Sequence, residues 1–138
     1  VVQALESGAE HPDIVKPNTI AKSIAIGNPA DGYQVLQTVR NTGGSGTAVS
    51  DEHIVDAIRL LAETEGIFTE PAGGTTLGGT LDLIRRGVIG ADESVVVCVT
   101  GNGYKTAEVV TSKLAEPVNL SRSFKAFESW WEGRKALA

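Results

Sequence analysis

The sequence contains no methionine in its 138 residues and begins at Val1. A translation product starts with methionine, so the chain reads as a piece of a longer one. It carries a single cysteine, Cys98. That excludes a disulfide framework and leads us to expect a reducing compartment, the cytoplasm. Flanked by valines, Cys98 reads as a small buried hydrophobe rather than a nucleophile. No apolar run approaches the ~20 residues of a membrane span, and no signal peptide is read. There is no Lys/Arg cluster, and the net charge of −5 argues against nucleic acid as a partner. The two histidines, His11 and His53, both sit in polar stretches and read as solvated. No metal site is assigned.

Glycine, by contrast, is abundant at 16 residues, pointing to tight turns and close backbone approach. The most informative stretch runs from Ser94 to Lys105. Val95 to Val99 form an unbroken β-branched run with no polar alternation, which predicts a strand buried on both faces. Gly101 and Gly103 then let the backbone turn and approach a neighbour closely. Thr100 is therefore expected where a buried strand opens into a crevice, the place where open α/β sheets bind ligands.

Around this stretch the pattern alternates. Val1 to Lys16 reads as an apolar turn running into a loop. Thr19 to Ile26 is short and either helical or extended. Ala30 to Asn41 predicts a helix with Val35, Leu36 and Val39 inward, followed by the small-residue loop Asn41 to Thr47, either a mobile active-site loop or an anion cradle. Ser50 to Glu65 is the clearest helix, with Ser50 as N-cap, an acidic first turn and Gly66 as stop. Its core stripe is Ile54, Ala57, Ile58 and Leu61. After a short strand at Ile67 to Thr69, Pro71 opens a helix to Arg86, with Leu77, Leu81 and Ile84 as its buried side. Gly73, Gly74 and Gly78 cost that helix roughly 1 kcal/mol each, which implies close packing against a strand or a flat ligand. Glu70 stands at its N-terminus, either capping it or facing a ligand. Thr106 to Leu114 predicts a short helix. Residues 121–136 predict a C-terminal docking helix with Phe124, Phe127 and Trp131 on one face. The whole, residues 1–138, is read as part of one three-layer α/β unit with a small, mostly parallel sheet.

Gly101-x-Gly103 after a strand admits a dinucleotide-binding reading, but Thr106 stands at the third glycine position and no second strand ending in an acidic residue follows. A second reading rests on several segments together: Lys16-Pro17-Asn18-Thr19-Ile20-Ala21, Ile26-Gly27-Asn28-Pro29-Ala30, Ala48 to Glu52, Glu65 to Phe68 with Glu70-Pro71-Ala72, and Val97 to Lys105. In this order and spacing they resemble the C-terminal part of the threonine synthase family, among the fold type II pyridoxal-phosphate enzymes. The resemblance covers residues 16 to 105. The chain departs from the commonest family pattern at Thr106-Ala107, where Asp-Pro is usual.

The resemblance implies pyridoxal 5′-phosphate as cofactor, with Thr100 hydrogen-bonding its pyridine nitrogen. It also implies Gly27, Asn28 and Glu70 near the ring or substrate. A hydroxyl adds no negative charge to hold a proton on that nitrogen, so the ring is a weaker electron sink, which suits β,γ-elimination and replacement. The implied activity is that of a lyase converting O-phospho-L-homoserine and water to L-threonine and phosphate. The implied partners are the N-terminal half of the enzyme, a small-molecule substrate and further copies of the chain. The Schiff-base lysine of the family lies in the N-terminal half. Ser112-Lys113 and Ser123-Phe124-Lys125 both follow the Thr-Gly-Asn-Gly strand and do not match it, so the chain alone is expected to be inactive. The alternatives are a related enzyme of the threonine dehydratase type and a non-catalytic binding or regulatory domain.

Overall fold

The computed structural model describes residues 1–111 and 114–135. Ser112-Lys113 and the last residue of the expected 121–136 helix lie outside them. Among the described residues six α-helices follow in order: α1 (Val2–Ser7), α2 (Gly32–Asn41), α3 (Asp51–Glu65), α4 (Pro71–Arg85), α5 (Glu108–Thr111) and α6 (Phe124–Lys135). Single 3-10 turns lie at Lys22–Ile24 and Gly103–Thr106. The start of the chain is thus helical where an apolar turn was expected, with Gly8 closing α1 in the left-handed region.

α3 follows its sequence signals. The Ser50 hydroxyl accepts the His53 N–H at 3.3 Å, and Gly66 ends the helix at φ 68°. The expected stripe of Ile54, Ala57, Ile58 and Leu61 is buried, joined by Val55. Ile54, Val55 and Ile58 form the core with Ala21 and Val110. Burying each of the large aliphatic side chains contributes roughly 1.5–3 kcal/mol. The acidic first turn also works as an anchor. Asp51 accepts the Thr19 hydroxyl at 2.5 Å and the Ile20 N–H at 3.2 Å, tying the loop after Lys16 onto α3.

α4 departs from its predicted face. Its buried positions are Pro71, Gly73, Gly74 and Gly78, whereas Leu77 and Leu81 are half-buried and Ile84 is exposed. The glycines let α4 lie directly on α3. A Cβ at Gly74 would stand 2.7 Å from the Ile54 carbonyl oxygen and 2.7 Å from Ile58 Cγ1, and one at Gly78 would stand 3.0 Å from Val49 Cγ1. The close neighbour of Gly74 is therefore a helix, whereas Gly73 faces Thr69 and Gly78 faces Val49 just before α3. With the backbones this near, the leucine side turns outward, and a cavity of about 380 Å³ forms over it between Ala57, Leu60, Leu81 and Ile84. In α2, likewise, Leu36 is fully buried but Val35 faces out.

The expected parallel sheet has no strand to match it among the described residues, only an isolated antiparallel bridge between Thr69 and Asn102. Val95 and Cys98 are exposed and Val96 is 88% exposed. The reason is physical: a β-branched run becomes a buried strand only where neighbours accept its backbone hydrogen bonds and cover both faces. Among the described residues no segment pairs with it. The expected Thr106 to Leu114 helix is divided between the 3-10 turn and the single-turn α5. α6 begins as read, with the Ala126 N–H bonded to Ser123 Oγ at 3.2 Å. Phe124 and Phe127 are exposed on it, Phe127 and Trp131 stack at 6.2 Å, and Arg134 lies 5.5 Å above the Trp130 ring.

Candidate functional site

The candidate site is the corner where the segment before α4 meets the glycine turn. Two backbone bonds make it: Glu70 N–H donates to the Gly101 carbonyl at 3.1 Å, and Gly103 N–H donates to the Phe68 carbonyl at 3.0 Å. The buried Thr69 hydroxyl adds a third, donating to the Gly101 carbonyl at 2.9 Å.

Both glycines of the Gly101-x-Gly103 pair are occupied from this side. A Cβ at Gly101 would overlap the Glu70 carboxyl group, and one at Gly103 would stand 2.7 Å from the Phe68 ring. Phe68 in turn meets Tyr104 edge-on at 5.4 Å. The glycines thus receive the chain's own side chains, which removes the ground for a dinucleotide fingerprint. Asn102 closes the turn through its side-chain oxygen, which accepts the Tyr104 N–H at 2.9 Å.

Glu70 occupies the N-cap position of α4 but makes no side-chain cap bond. Its half-buried side chain lies against Gly101 instead. Of the two roles open to it from sequence, capping is therefore excluded. Thr100, next along the chain from Gly101, is exposed. The strand meant to lead into it is unpaired.

Gly27 and Asn28 belong to a separate group. Gly27 is held against the extended segment before it: Val15 N–H donates to its carbonyl at 3.0 Å, and a Cβ there would overlap the Val15 carbonyl. Asn28 is exposed and lines a cavity of about 500 Å³ with His11, Pro12 and Tyr33, to which neither Glu70 nor Thr100 contributes. His11 is stacked on Tyr33 at 5.1 Å. The structure therefore joins Glu70 to the Thr100–Gly101 corner and leaves Gly27–Asn28 on another surface.

Sequence reasoning missed Thr69. It passed as a strand residue, and no local signal distinguishes a threonine whose hydroxyl faces a distant carbonyl from one that faces solvent. Elsewhere, the Asp82 carboxyl sits below its ordinary value of 3.8, chiefly because the Thr47 hydroxyl donates to it at 2.7 Å, with Arg86 adding at 3.3 Å. Among the described residues no group of His, Cys, Asp and Glu is placed to hold a metal ion. No described helix is long and apolar enough to cross a membrane.

Comparison with known proteins adds the family. The chain is 38% identical to a threonine synthase of Methanocaldococcus jannaschii over 123 residues, 87% of this chain and 30% of that protein. It is 38% identical to that of Methanosarcina acetivorans over 91% of this chain and 31% of the relative, and 41% identical to that of a Bacillus species over 72% and 28%. The chain thus spans about 30% of the length of these relatives. Residues 1–101 match the family model described as pyridoxal-phosphate dependent enzyme, a match that ends at the residue following Thr100. By that match over most of its length, the chain belongs to the pyridoxal-phosphate dependent enzymes, and its family cofactor is pyridoxal 5′-phosphate.

Proposed function

We propose that the chain is the C-terminal segment of a threonine synthase, a lyase that turns O-phospho-L-homoserine and water into L-threonine and phosphate. The observation that carries this is the identity of 36–41% to threonine synthases over most of the chain. The corner built by Thr69, Glu70 and Gly101 supports it.

The residues at this corner fit one edge of a planar pyridine ring. Thr100 offers an open hydroxyl, beside the Glu70 carboxyl that fills the space next to Gly101. When bound, the cofactor supplies an electron sink for charge that develops on substrate carbons. In our reading Thr100 Oγ donates a hydrogen bond to the ring nitrogen and so leaves that nitrogen unprotonated. Glu70 faces the same space from the N-terminus of α4 and orients ring or substrate. Gly27 and Asn28 reach the ligand from the second surface, once the rest of the enzyme closes around it. The lysine that carries the cofactor belongs to the N-terminal half, and the isolated chain is inactive.

The exposed valines support the same partner. Val95 to Val99 have the composition of a doubly covered parallel strand, yet Val95 and Val96 are exposed here. We read the sheet of the expected α/β unit as completed by strands of the N-terminal half. The whole enzyme is expected to be a cytoplasmic homo-oligomer.

Two experiments test the reading. Borohydride trapping of the isolated chain with pyridoxal phosphate, followed by peptide mapping, is expected to label no lysine specifically; a stoichiometric adduct on one of its lysines sinks the proposal. In the whole enzyme, Thr100→Asp is expected to protonate the ring nitrogen, seen as a change in the cofactor's visible absorbance, and to impair threonine formation. Wild-type rates and spectrum in that variant remove Thr100 from the ring.

A further inference from the structure

We propose that Thr69 is a positioning residue that sets the place of the Thr100 hydroxyl, an inference that rests on the reading of Thr100 as the ring contact. Among the described residues Thr69 is the polar side chain the fold buries, at 1% exposure. Its hydroxyl donates to the Gly101 carbonyl at 2.9 Å, and the Glu70 N–H donates to the same carbonyl at 3.1 Å. Both acceptor positions of that oxygen are thereby filled, which fixes the direction in which the chain leaves Thr100.

The asymmetry around Thr100 gives this bond its weight. Upstream, residues 94–99 are largely exposed and join no ladder among the described residues. Downstream, Gly101 to Gly103 are pinned to Phe68–Glu70. Within this chain Thr100 is held from its C-terminal side, and Thr69 supplies the side-chain hydrogen bond between the two segments of that anchor.

What is specific to the hydroxyl is its bond to the Gly101 carbonyl. The first turn of α4 passes over Thr69, and a Cβ at Gly73 would overlap Thr69 Oγ1. A valine at position 69 occupies nearly the volume of threonine but leaves the half-buried Gly101 with the Glu70 N–H as its remaining donor. Serine keeps the donor and loses a methyl group.

The test uses the whole enzyme with pyridoxal phosphate bound, in three variants. Thr69→Val is expected to speed amide exchange at Glu70 and Gly103 by roughly tenfold, to lower kcat by about three- to tenfold with KM within about twofold, and to shift the pH dependence of the cofactor's visible absorbance. Thr69→Ser is expected to restore all three. Unchanged exchange and absorbance in Thr69→Val overturn the proposal. So does failure of Thr69→Ser to restore them, because that outcome makes the methyl group, and hence packing, the operative feature. Thr100→Val separates the two readings. If it leaves kcat and absorbance at wild-type values, the ring contact fails, and the exchange of Glu70 and Gly103 alone then decides whether Thr69 holds the turn.

Discussion

The facing sides of α3 and α4 and the segment from Ser94 to Thr100 are both rich in small and branched apolar residues, yet they end in opposite states. In the helix pair each backbone satisfies its own hydrogen bonds, and the glycines of α4 let Ile54 and Ile58 close against it. Such a unit needs only one neighbour, and the chain provides it. In the valine segment the backbone must find donors and acceptors on other strands, and two faces need cover. The chain provides neither, and Val96 stands in water. A helix can be finished locally, whereas a central strand is finished only by what lies beside it.

Substitutions can break this contrast or sharpen it. The largest effect is expected at Ile58, which is buried in the core at 2% exposure. Ile58→Ala should cost about 2–5 kcal/mol of stability by lost burial and the cavity left behind, measured by urea unfolding. A loss under ~1 kcal/mol would mean that α3 and α4 do not form the stable unit. Next comes Gly74→Ala. Alanine is the better helix former by roughly 1 kcal/mol, but its Cβ would meet the Ile54 carbonyl at 2.7 Å, and overpacking of that kind costs about 1–3 kcal/mol. We expect net destabilisation, and a more stable variant would show that the helices part freely.

Val96→Asp should change the stability of the isolated chain by no more than ~0.5 kcal/mol, as for a surface position. In the whole enzyme it should abolish cofactor-loaded protein, because it puts an unpaired charge where a strand is covered on both faces. Equal tolerance in both settings argues that the valines stay exposed. The smallest effect concerns Asp82. Its lowered carboxyl contributes stability above its unfolded value and loses it as pH falls through the lower folded one. Thr47→Val removes the main cause, so an NMR titration of Asp82 should move toward its ordinary 3.8; an unmoved midpoint assigns the lowering to Arg86 instead.

How much of this was legible beforehand follows the same division. α3 was readable from end to end because its signals are local: a serine cap, an acidic first turn, a 3.6-residue stripe and a terminal glycine. The α4 helix was readable in extent but not in face. Leucines outrank glycines as core residues on any hydrophobic scale, and only the approach of α3 made the glycine side the packed one. At the candidate site, Glu70 and the Thr100–Gly101 turn stood out by residue type and spacing. Their meeting across 31 residues, and the part Thr69 plays in it, did not.

By itself, then, the sequence determined α2, α3, the extent of α4, the turn at Gly101 to Gly103 and the membership in the pyridoxal-phosphate dependent enzymes, since each is written in local chemistry or in residue order. Tertiary structure alone decided which face of α4 is buried, which side chains fill the two glycines, and that the valine run stands unpaired. These depend on the distance between segments far apart in the chain, and backbone polar groups and apolar faces are satisfied only by what lies within reach.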